Sequence, residues 1–344
     1  MNTTAILDKL LNREDLDRKE AAALMQNIMS GELNHSQIAA ALTALRVKGE
    51  TVDEVVGFVT TMQDNAIRIS PKAEGVIDTC GTGGDGRQTF NISTATAIVC
   101  AAIGIPIAKH GNRAVSSKCG SADVLEALDV NLDIEPESVA NLIDEIGIGF
   151  LFAPAHHPAM KHVAPVRHDL GFRTVFNLVG PMANPAGVKR QLIGVYDPNL
   201  TDLVAKTLLA LGSEKVMVVH GMDGLDEVSL SGETRVSYLE HGHVHNMTFV
   251  PEDAHLKRAD VSELAGGTAE ENANHILNLL GGEKGPRRDA VLLNTAFATI
   301  VADRVKNLPD GVRLAGEAID SGKAMGVLDS LREASLELSS GSKP

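Results

Sequence analysis

The sequence predicts an α/β protein in which a small all-helical domain, residues 1–70, precedes a large α/β domain, residues 71–344. The first region contains three capping boxes and no strand-like run, which is typical of consecutive helices. From about residue 75, short β-branched runs alternate with apolar helical segments, which indicates a central, mostly parallel sheet with flanking helices. Helices from about residues 159–186 interrupt this alternation, and we expect them to pack on the amino-terminal helices.

The capping boxes predict where the amino-terminal helices begin. They are Asp17-x-x-Glu20, Asn34-x-x-Gln37 and Thr51-x-x-Glu54. In each box, two side chains accept hydrogen bonds from backbone N–H groups that the first turn leaves unpaired. Together with glycine stops, these signals predict helices over residues 4–11, 17–30, 38–48 and 51 to about 67.

A glycine-rich loop, residues 81–86, follows a predicted strand at Val76-Ile77 and contains four glycines. Glycine allows the backbone to approach a ligand closely and to turn N–H groups toward it. Ser93 or Thr94 is predicted to cap the apolar helix that follows, and Gly104 to end it. A helix N-terminus beside such a loop attracts phosphate.

A cationic segment, residues 109–121, follows the next predicted strand, residues 105–108. Since adjacent parallel strands end at one edge of a sheet, the glycine-rich loop and this segment suggest a ligand with two phosphate groups. The loop is not a P-loop, because no Gly-Lys-Ser/Thr closes it, and it lacks the dinucleotide-binding fingerprint. Taken alone, the loop could equally be a plain tight turn.

An acidic loop, residues 220–229, follows a third predicted strand and holds Asp223, Asp226 and Glu227. It is either a solvated turn or a site for Mg²⁺ carried by substrate phosphates, since Mg²⁺ usually takes one or two carboxylates. His156 and His157 could suggest zinc, but no cysteine or carboxylate stands at ligand spacing, so a loop or pocket wall is the better interpretation.

Composition narrows the class of protein further. With 44% hydrophobic residues the chain has enough apolar side chains for a sizeable core, and its net charge of −14 argues against nucleic acid as the main partner. Cys80, Cys100 and Cys119 are an odd set without metal-site spacing, which fits reduced thiols in the cytoplasm. No signal pattern or membrane-spanning apolar run is visible, so we expect no membrane partner.

Over nearly its full length, the chain closely resembles the anthranilate phosphoribosyltransferase family. The motifs that carry the resemblance are Gly-Thr-Gly-Gly-Asp at 81–85, Asn-Ile-Ser-Thr at 91–94, Lys-His-Gly-Asn-Arg at 109–113, His-Pro-Ala-Met at 157–160, Pro-Val-Arg at 165–167, Gly-Phe-Arg-Thr at 171–174 and Gly-Leu-Asp-Glu at 224–227. Ala114 and Cys119 depart from it, since relatives often carry hydroxyls there.

The resemblance implies a nucleoside phosphorylase/phosphoribosyltransferase-like fold with its active site at the hinge between the domains. It implies transfer of the phosphoribosyl group of phosphoribosyl pyrophosphate (PRPP) to the amine of anthranilate, in tryptophan biosynthesis. It further implies a cytoplasmic homodimer that uses two Mg²⁺ ions per subunit. The displacement at the ribose carbon needs positioning and leaving-group stabilisation rather than a strong base, so no residue is assigned as catalytic.

The resemblance also assigns residues to ligands. The residues implied to bind PRPP are Gly81, Gly84, Asp85, Thr89, Asn91, Ile92, Ser93, Thr94, Lys109, His110, Gly111, Asn112, Arg113, Ala114, Val115, Ser116, Ser117 and Ser121. Those implied to hold Mg²⁺ are Ser93, Asp226 and Glu227, and those implied to contact anthranilate are Gly81, Asn112 and Arg167.

Three other functions compete with this interpretation. A pyrimidine nucleoside phosphorylase shares the architecture but should carry Lys-His-Ser where this chain has Lys109-His110-Gly111. A non-catalytic paralogue that binds nucleic acid needs a basic groove and a degraded acidic pair, whereas this chain is acidic and keeps Asp226-Glu227. A dinucleotide-dependent dehydrogenase is the weakest of the three, because the fingerprint is missing.

Overall fold

The computed structural model describes residues 3–114 and 118–340, so the predicted site residues Val115, Ser116 and Ser117 lie outside the described residues. The amino-terminal region is helical. Its helices are α1 (Thr3–Leu11), α2 (Arg18–Met29), α3 (His35–Lys48) and α4 (Val52–Asp64). All three predicted capping boxes form. Helix α4 ends at Asp64 rather than near Ile67, whose backbone N–H donates instead to the His156 carbonyl at 2.8 Å.

A seven-stranded sheet forms the centre of the rest of the chain, in the order β3-β2-β1-β4-β5-β6-β7. The strands are β1 (Ile77–Gly81), β2 (Ile107–Gly111), β3 (Ile148–Phe152), β4 (Arg190–Gly194), β5 (Lys215–Gly221), β6 (Thr234–Glu240) and β7 (His243–Phe249). Strands β1 to β5 are parallel, and β6 and β7 add an antiparallel hairpin at one edge. The predicted mostly parallel sheet is confirmed.

Helices connect the strands and cover both faces of the sheet. They are α5 (Ile92–Ala102), α6 (Ser121–Ala127), α7 (Pro136–Ile146), α8 (Ala153–His156), α9 (Ala164–Leu170), α10 (Val175–Val179), α11 (Leu200–Ala210), α12 (Ala269–Leu280), α13 (Pro286–Val301), α14 (Leu308–Asp320) and α15 (Lys323–Ser340). The sequence pattern of residues 311–330 predicts a single helix, and this prediction is wrong, because two helices form there. Gly322, at a φ of 76°, separates α14 from α15.

Two large apolar clusters lie on opposite faces of the sheet. One cluster packs α5 and the carboxy-terminal helices against β1, β2 and β4. The other joins the apolar faces of α1 to α4 to Val166, Phe176 and Val179 and to Ile193 and Val218 of the sheet. The segment around residues 163–183 therefore packs between the amino-terminal helices and the sheet, while the division of the chain at residues 70 and 71 stays a prediction.

The strand order creates a crevice at the carboxyl ends of β1 and β4. The chain passes from β1 to β2 on one side, and later enters β4 on the other side of β1. In open parallel sheets, ligands bind where the strand order reverses in this way. Gly81 and Gly194 pair at this point, so neither strand places a side chain at the crevice floor.

Candidate active site

The glycine-rich loop follows β1 directly and begins at the crevice. Gly83, Gly84 and Gly86 have φ values of 64°, 71° and 76°, a left-handed conformation that other residues rarely adopt. The Gly83 N–H donates to the Asp226 carboxylate at 2.7 Å, and Arg173 donates to the Gly84 carbonyl. The loop is thus held from two sides.

Helix α5 presents its amino terminus beside this loop. It begins at Ile92 with Asn91 in the N-cap position, so the predicted capping by Ser93 or Thr94 is wrong, and both residues lie in the first turn. The Asn91 side chain makes no capping bond, because its Oδ1 accepts from Asn272 Nδ2 at 2.9 Å. The first N–H groups of α5 are therefore not capped by the Asn91 side chain, which suits an anion.

The cationic segment begins inside the sheet, because β2 includes Lys109, His110 and Gly111. Lys109 is 2% exposed, and its Nζ donates to the Thr79 carbonyl at 2.7 Å and to Ser93 Oγ at 3.3 Å. Burial lowers the pKa of this ammonium group. The expectation that Lys109 lies in a loop after the strand is wrong, since β2 continues three residues beyond its predicted end.

Beyond β2, acidic side chains hold the described part of the cationic segment. Arg113 forms ion pairs with Glu126 and, at 3.4 Å, with Asp123. Asp123 Oδ2 also accepts from the N–H groups of Ala114 at 2.9 Å and Gly120 at 2.8 Å. The positive charge of Arg113 is thus already paired, and the backbone path here is set by Asp123 at the start of α6.

Asn112 and Ser121 close the base of this turn. Ser121 Oγ donates to the Asn112 carbonyl at 3.3 Å, and the Ala122 N–H donates to the same carbonyl at 3.2 Å. Cys119 lies against the start of α5, with its Sγ 3.4 Å from Asn91 Oδ1. Of the two departures from the family pattern, Cys119 therefore lies where this turn meets the start of α5, and Ala114 is held by Asp123 of α6.

The acidic loop places the carboxylates of Asp226 and Glu227 at the crevice, whereas the carboxylate of Asp223 stabilises the loop itself. Asp223 accepts from Ser229 Oγ at 2.6 Å and from Ser231 Oγ, which fixes the turn. Asp226 lies so close to the sheet that a Cβ at Gly81 would stand 2.6 Å from its Oδ2, and one at Gly194 would stand 1.5 Å from its carbonyl oxygen. Glycine is therefore required at both strand ends.

Burial and neighbouring negative charges raise the proton affinity of Asp226 and Glu227. Burial, and then the charge of Asp85, raise the pKa of Asp226 to about 7. Burial and the charge of Asp226 raise the pKa of Glu227 well above its usual range. Within the described residues, no group of three or more histidine, cysteine or acidic side chains could hold a metal alone. Two carboxylates beside the Ser93 hydroxyl still fit Mg²⁺, which often completes its shell with water and phosphate.

Arg167, which is predicted to contact anthranilate, lies on α9. In sequence it is distant from both the glycine-rich loop and the acidic loop. It is half-buried, and its guanidinium stands 5.5 Å from the centre of the Phe176 ring. It makes no ion pair in the part of the chain that the structure describes, and burial lowers its pKa. A guanidinium without a carboxylate partner is available for an anionic ligand. Within residues 3–114 and 118–340, no hydrogen bond joins it to Gly81 or Asn112.

Two contacts near the site have no signal in the sequence. The rings of His110 and His157 lie 5.3 Å apart, and burial lowers their pKa values to about 3 and about 4, so both are neutral and weakly basic. Arg173 stacks on the Tyr196 ring at 4.3 Å while it contacts the glycine-rich loop. Both contacts join residues distant in sequence, which no local pattern can reveal.

The sequence matches both domains of one glycosyl transferase family, the helical bundle domain over residues 4–66 and the a/b domain over residues 73–325. It is 54% identical to an anthranilate phosphoribosyltransferase of Symbiobacterium thermophilum, with 96% of each chain covered. A relative of the same name from Moorella thermoacetica is 51% identical, over 95% of this chain and 96% of that protein.

Solved structures agree with these sequence matches. The crystal structure of anthranilate phosphoribosyltransferase from Thermus thermophilus superposes with a TM-score of 0.91 at 43% identity, covering 96% of this chain and 99% of that one. The Saccharomyces cerevisiae enzyme in complex with PRPP and Mg gives a TM-score of 0.89 at 28% identity, covering 97% and 98%.

Proposed function

The chain belongs to the anthranilate phosphoribosyltransferases of the glycosyl transferase family, and we propose that the crevice between β1 and β4 is where its reaction takes place. The reaction transfers the 5-phosphoribosyl group of PRPP to the amine of anthranilate, a step of tryptophan biosynthesis. It yields N-(5-phosphoribosyl)anthranilate and pyrophosphate. The observation that carries the location is the convergence of the glycine-rich loop, the N-terminus of α5 and the acidic loop at one point.

The donor site that we propose uses backbone groups more than charged side chains. The proposed PRPP-binding residues are Gly81, Gly84 and Asp85 of the glycine-rich loop, Thr89, Asn91 to Thr94, the cationic segment up to Ser117, and Ser121. N–H groups at a helix terminus and in a glycine-rich loop stabilise phosphate oxygens without a change of conformation during the reaction. Lys109 and Arg113 contribute less directly, because Lys109 is bound to the Thr79 carbonyl and Arg113 to Glu126.

Mg²⁺ fits beside Ser93, Asp226 and Glu227, and we propose two ions per subunit. The raised pKa values of both carboxyl groups reflect burial and repulsion between like charges, which a cation would relieve. When bound, Mg²⁺ neutralises the charge that develops on the leaving pyrophosphate. Asp226 and Glu227 position the cation, and the contact of Asp226 with Gly83 and Gly81 keeps it next to the glycine-rich loop.

The acceptor site that we propose combines Arg167 with Gly81 and Asn112. Anthranilate carries a carboxylate beside its amine, and a guanidinium binds a carboxylate with two parallel hydrogen bonds. The side-chain oxygen of Asn112 can accept a hydrogen bond from the anthranilate amine and so orient the lone pair of the amine nitrogen. Because the segment that carries Arg167 packs on the amino-terminal helices, movement of those helices would bring Arg167 toward the donor.

We also propose a homodimer formed through α1 and α3. These helices border an apolar groove lined by Leu10, Leu11, Ala39, Ala40, Thr43, Ala44 and Val47, with Arg13 at its rim. Leu11 is 67% exposed and Val47 60% exposed, which is unusual for large apolar side chains next to each other. A second copy of the chain would cover both.

A cytoplasmic location is part of the same proposal. It fits the three cysteines, Cys80, Cys100 and Cys119, which form no disulfide within the described residues. Among the described helices, none is long and apolar enough to cross a membrane.

One assay tests the function. Anthranilate is fluorescent, and its conversion should lower that fluorescence when PRPP and Mg²⁺ are both present. Omission of either should leave the signal constant. Phosphorolysis of a pyrimidine nucleoside with inorganic phosphate, in the absence of any anthranilate turnover, would favour the competing phosphorylase.

A further inference from the structure

The sheet is split between β1 and β2. Within the described residues, these strands pair in register at one position, Ile77 with Ile107. Each pairs at five positions with its other neighbour, β1 with β4 and β2 with β3. Backbone pairing between the neighbouring strands β1 and β2 therefore stops toward their carboxyl ends, where the glycine-rich loop and the exposed part of the cationic segment begin.

Beyond Ile77 and Ile107, the next backbone groups of β1 and β2 would form further hydrogen bonds of a parallel ladder if the pairing continued. The Ile77 N–H donates to the Pro106 carbonyl at 2.9 Å. In evenly spaced parallel pairing, the Ala108 carbonyl would next accept from β1, and the His110 N–H would then donate to the Thr79 carbonyl. None of these three groups is left unpaired, but each is bound to a side chain instead.

Three buried side chains take the places of the missing ladder bonds. They are Asn184, whose Nδ2 donates to the Ala108 carbonyl at 2.9 Å; Asp78, whose Oδ1 accepts from the His110 N–H at 3.2 Å; and Lys109, whose Nζ donates to the Thr79 carbonyl at 2.7 Å. Asn184 Nδ2 also donates to Asp78 Oδ2 at 2.8 Å. Asp78, Lys109 and Asn184 are 0%, 2% and 3% exposed, so all three lie within the protein.

This arrangement costs more than a continued ladder. A ladder would satisfy the same backbone groups without burying a carboxylate and an ammonium group, and the desolvation of two buried charges often exceeds their attraction. Burial raises the pKa of Asp78 to about 6 even though the positive charge of Lys109 opposes that change. Stability alone therefore gives no reason for the split.

We propose that Asp78, Lys109 and Asn184 form a polar wedge that holds β1 and β2 apart and sets the spacing of the two donor-binding loops. This inference rests on the proposed function, because the spacing must match the two phosphate-bearing ends of PRPP. Asp78 and Asn184 are positioning residues, whereas Lys109 also belongs to the proposed donor site. Lys109 acts through the backbone of Thr79 and through Ser93, and Asn184 comes from the segment that leads into β4 and belongs to neither loop.

The test uses Asn184→Ala, since Asn184 is outside the proposed substrate-binding residues. Loss of its side-chain amide removes the hydrogen-bond donor to the Ala108 carbonyl and to Oδ2 of Asp78. We expect KM for PRPP to rise about ten-fold or more, because a misplacement of about 1 Å can cost a hundred-fold in rate. KM for anthranilate should change much less. Calorimetric titration with PRPP and Mg²⁺ should show the same loss of affinity.

Asn131→Ala is the matched control. Asn131 Nδ2 donates to the carbonyls of Asp133 at 3.3 Å and Ser335 at 3.2 Å, and its Oδ1 accepts from the Asp133 N–H at 3.1 Å. Asn184 has a similar pattern, with the Ala186 N–H as the donor to its Oδ1. The control should lower Tm to some extent, because it removes the same number of amide hydrogen bonds from a half-buried position, and leave both KM values unchanged.

Two further measurements keep the proposal testable. If Asn184→Ala does not fold, Asn184→Leu keeps roughly the volume, adds no charge beside Asp78 and removes the donor to Ala108, and it should raise KM for PRPP in the same selective way. Amide hydrogen exchange at His110 should become faster in Asp78→Ala, whether or not substrate is bound. Unchanged PRPP affinity in a folded Asn184 variant would overturn the wedge, whatever the exchange rate at His110. A wild-type protein that binds no PRPP would overturn the proposed function instead.

Discussion

The Gly83 N–H donates to the Asp226 carboxylate at 2.7 Å, across 143 residues of sequence. This bond ties the glycine-rich loop to the acidic loop, so the proposed phosphate-binding and metal-binding elements form one unit. A substitution in either loop should therefore alter ligand binding by the other.

Gly83→Val should weaken PRPP binding in a protein that still folds. A Cβ at Gly83 meets nothing within 4 Å, so the cost is backbone strain at a φ of 64°, about 1–2 kcal/mol. Gly242→Val is the control, because Gly242 has a φ of 75° and equally open surroundings in the β6–β7 turn. Calorimetry should show weaker PRPP binding for the first variant alone, and equal affinities would contradict the loop assignment.

The double variant Asp226→Asn with Glu227→Gln should abolish or shift the Mg²⁺ dependence of turnover. Amides retain the size of the carboxylates but not the charge that attracts the cation. Turnover measured over a Mg²⁺ titration gives the result directly. If the variant keeps the wild-type Mg²⁺ profile, these residues do not hold the metal.

The apparent affinity for Mg²⁺ should fall as the pH is lowered. Burial raises the pKa of Asp226 to about 7, so the carboxylate is ionised above this value and protonated below it. Because a metal must displace the protons of both raised carboxyl groups, each pH unit below about 7 should weaken binding about ten-fold or more. Isothermal titration with Mg²⁺ between about pH 6 and pH 8 measures this slope, and Asp226→Asn should flatten it.

Arg167→Ala should raise KM for anthranilate selectively. A charge-assisted contact contributes roughly 1.5–3 kcal/mol, which corresponds to about ten- to a hundred-fold in binding. Arg167→Lys keeps the charge but loses the two-pronged geometry, so its KM should fall between those of the wild type and Arg167→Ala. Equal losses for anthranilate and PRPP would indicate a role in the fold or the donor site, and no loss would indicate an ordinary surface arginine.

Val47→Glu should convert the proposed dimer to a monomer. Val47 is 60% exposed in the groove between α1 and α3, and a charge there would be buried against the second copy. Leu336→Glu, at a position 52% exposed on α15, is the control. Sedimentation should show a smaller species for the first variant alone, and a monomeric wild type would contradict the dimer.

Local signals in the sequence determined most of the elements. The boxes Asp17–Glu20, Asn34–Gln37 and Thr51–Glu54 form as predicted, because each involves groups only three residues apart. Three of the four glycines in residues 81–86 adopt left-handed φ values, which fits the prediction that this loop needs glycine for its backbone path. The resemblance of several motifs in the same order identified the family before any contact was known.

The contacts of several of these residues depend on the packing of the whole fold. Lys109 was predicted in a loop, but it is buried at the end of β2 and bound to the Thr79 carbonyl, because backbone pairing between β1 and β2 stops there. Ser93 was predicted as a cap, but the helix begins earlier because Asn272 holds Asn91. Strand order sets such contacts, and strand order depends on packing between residues far apart in the chain. Local sequence patterns describe the elements, and the sheet determines which of them meet.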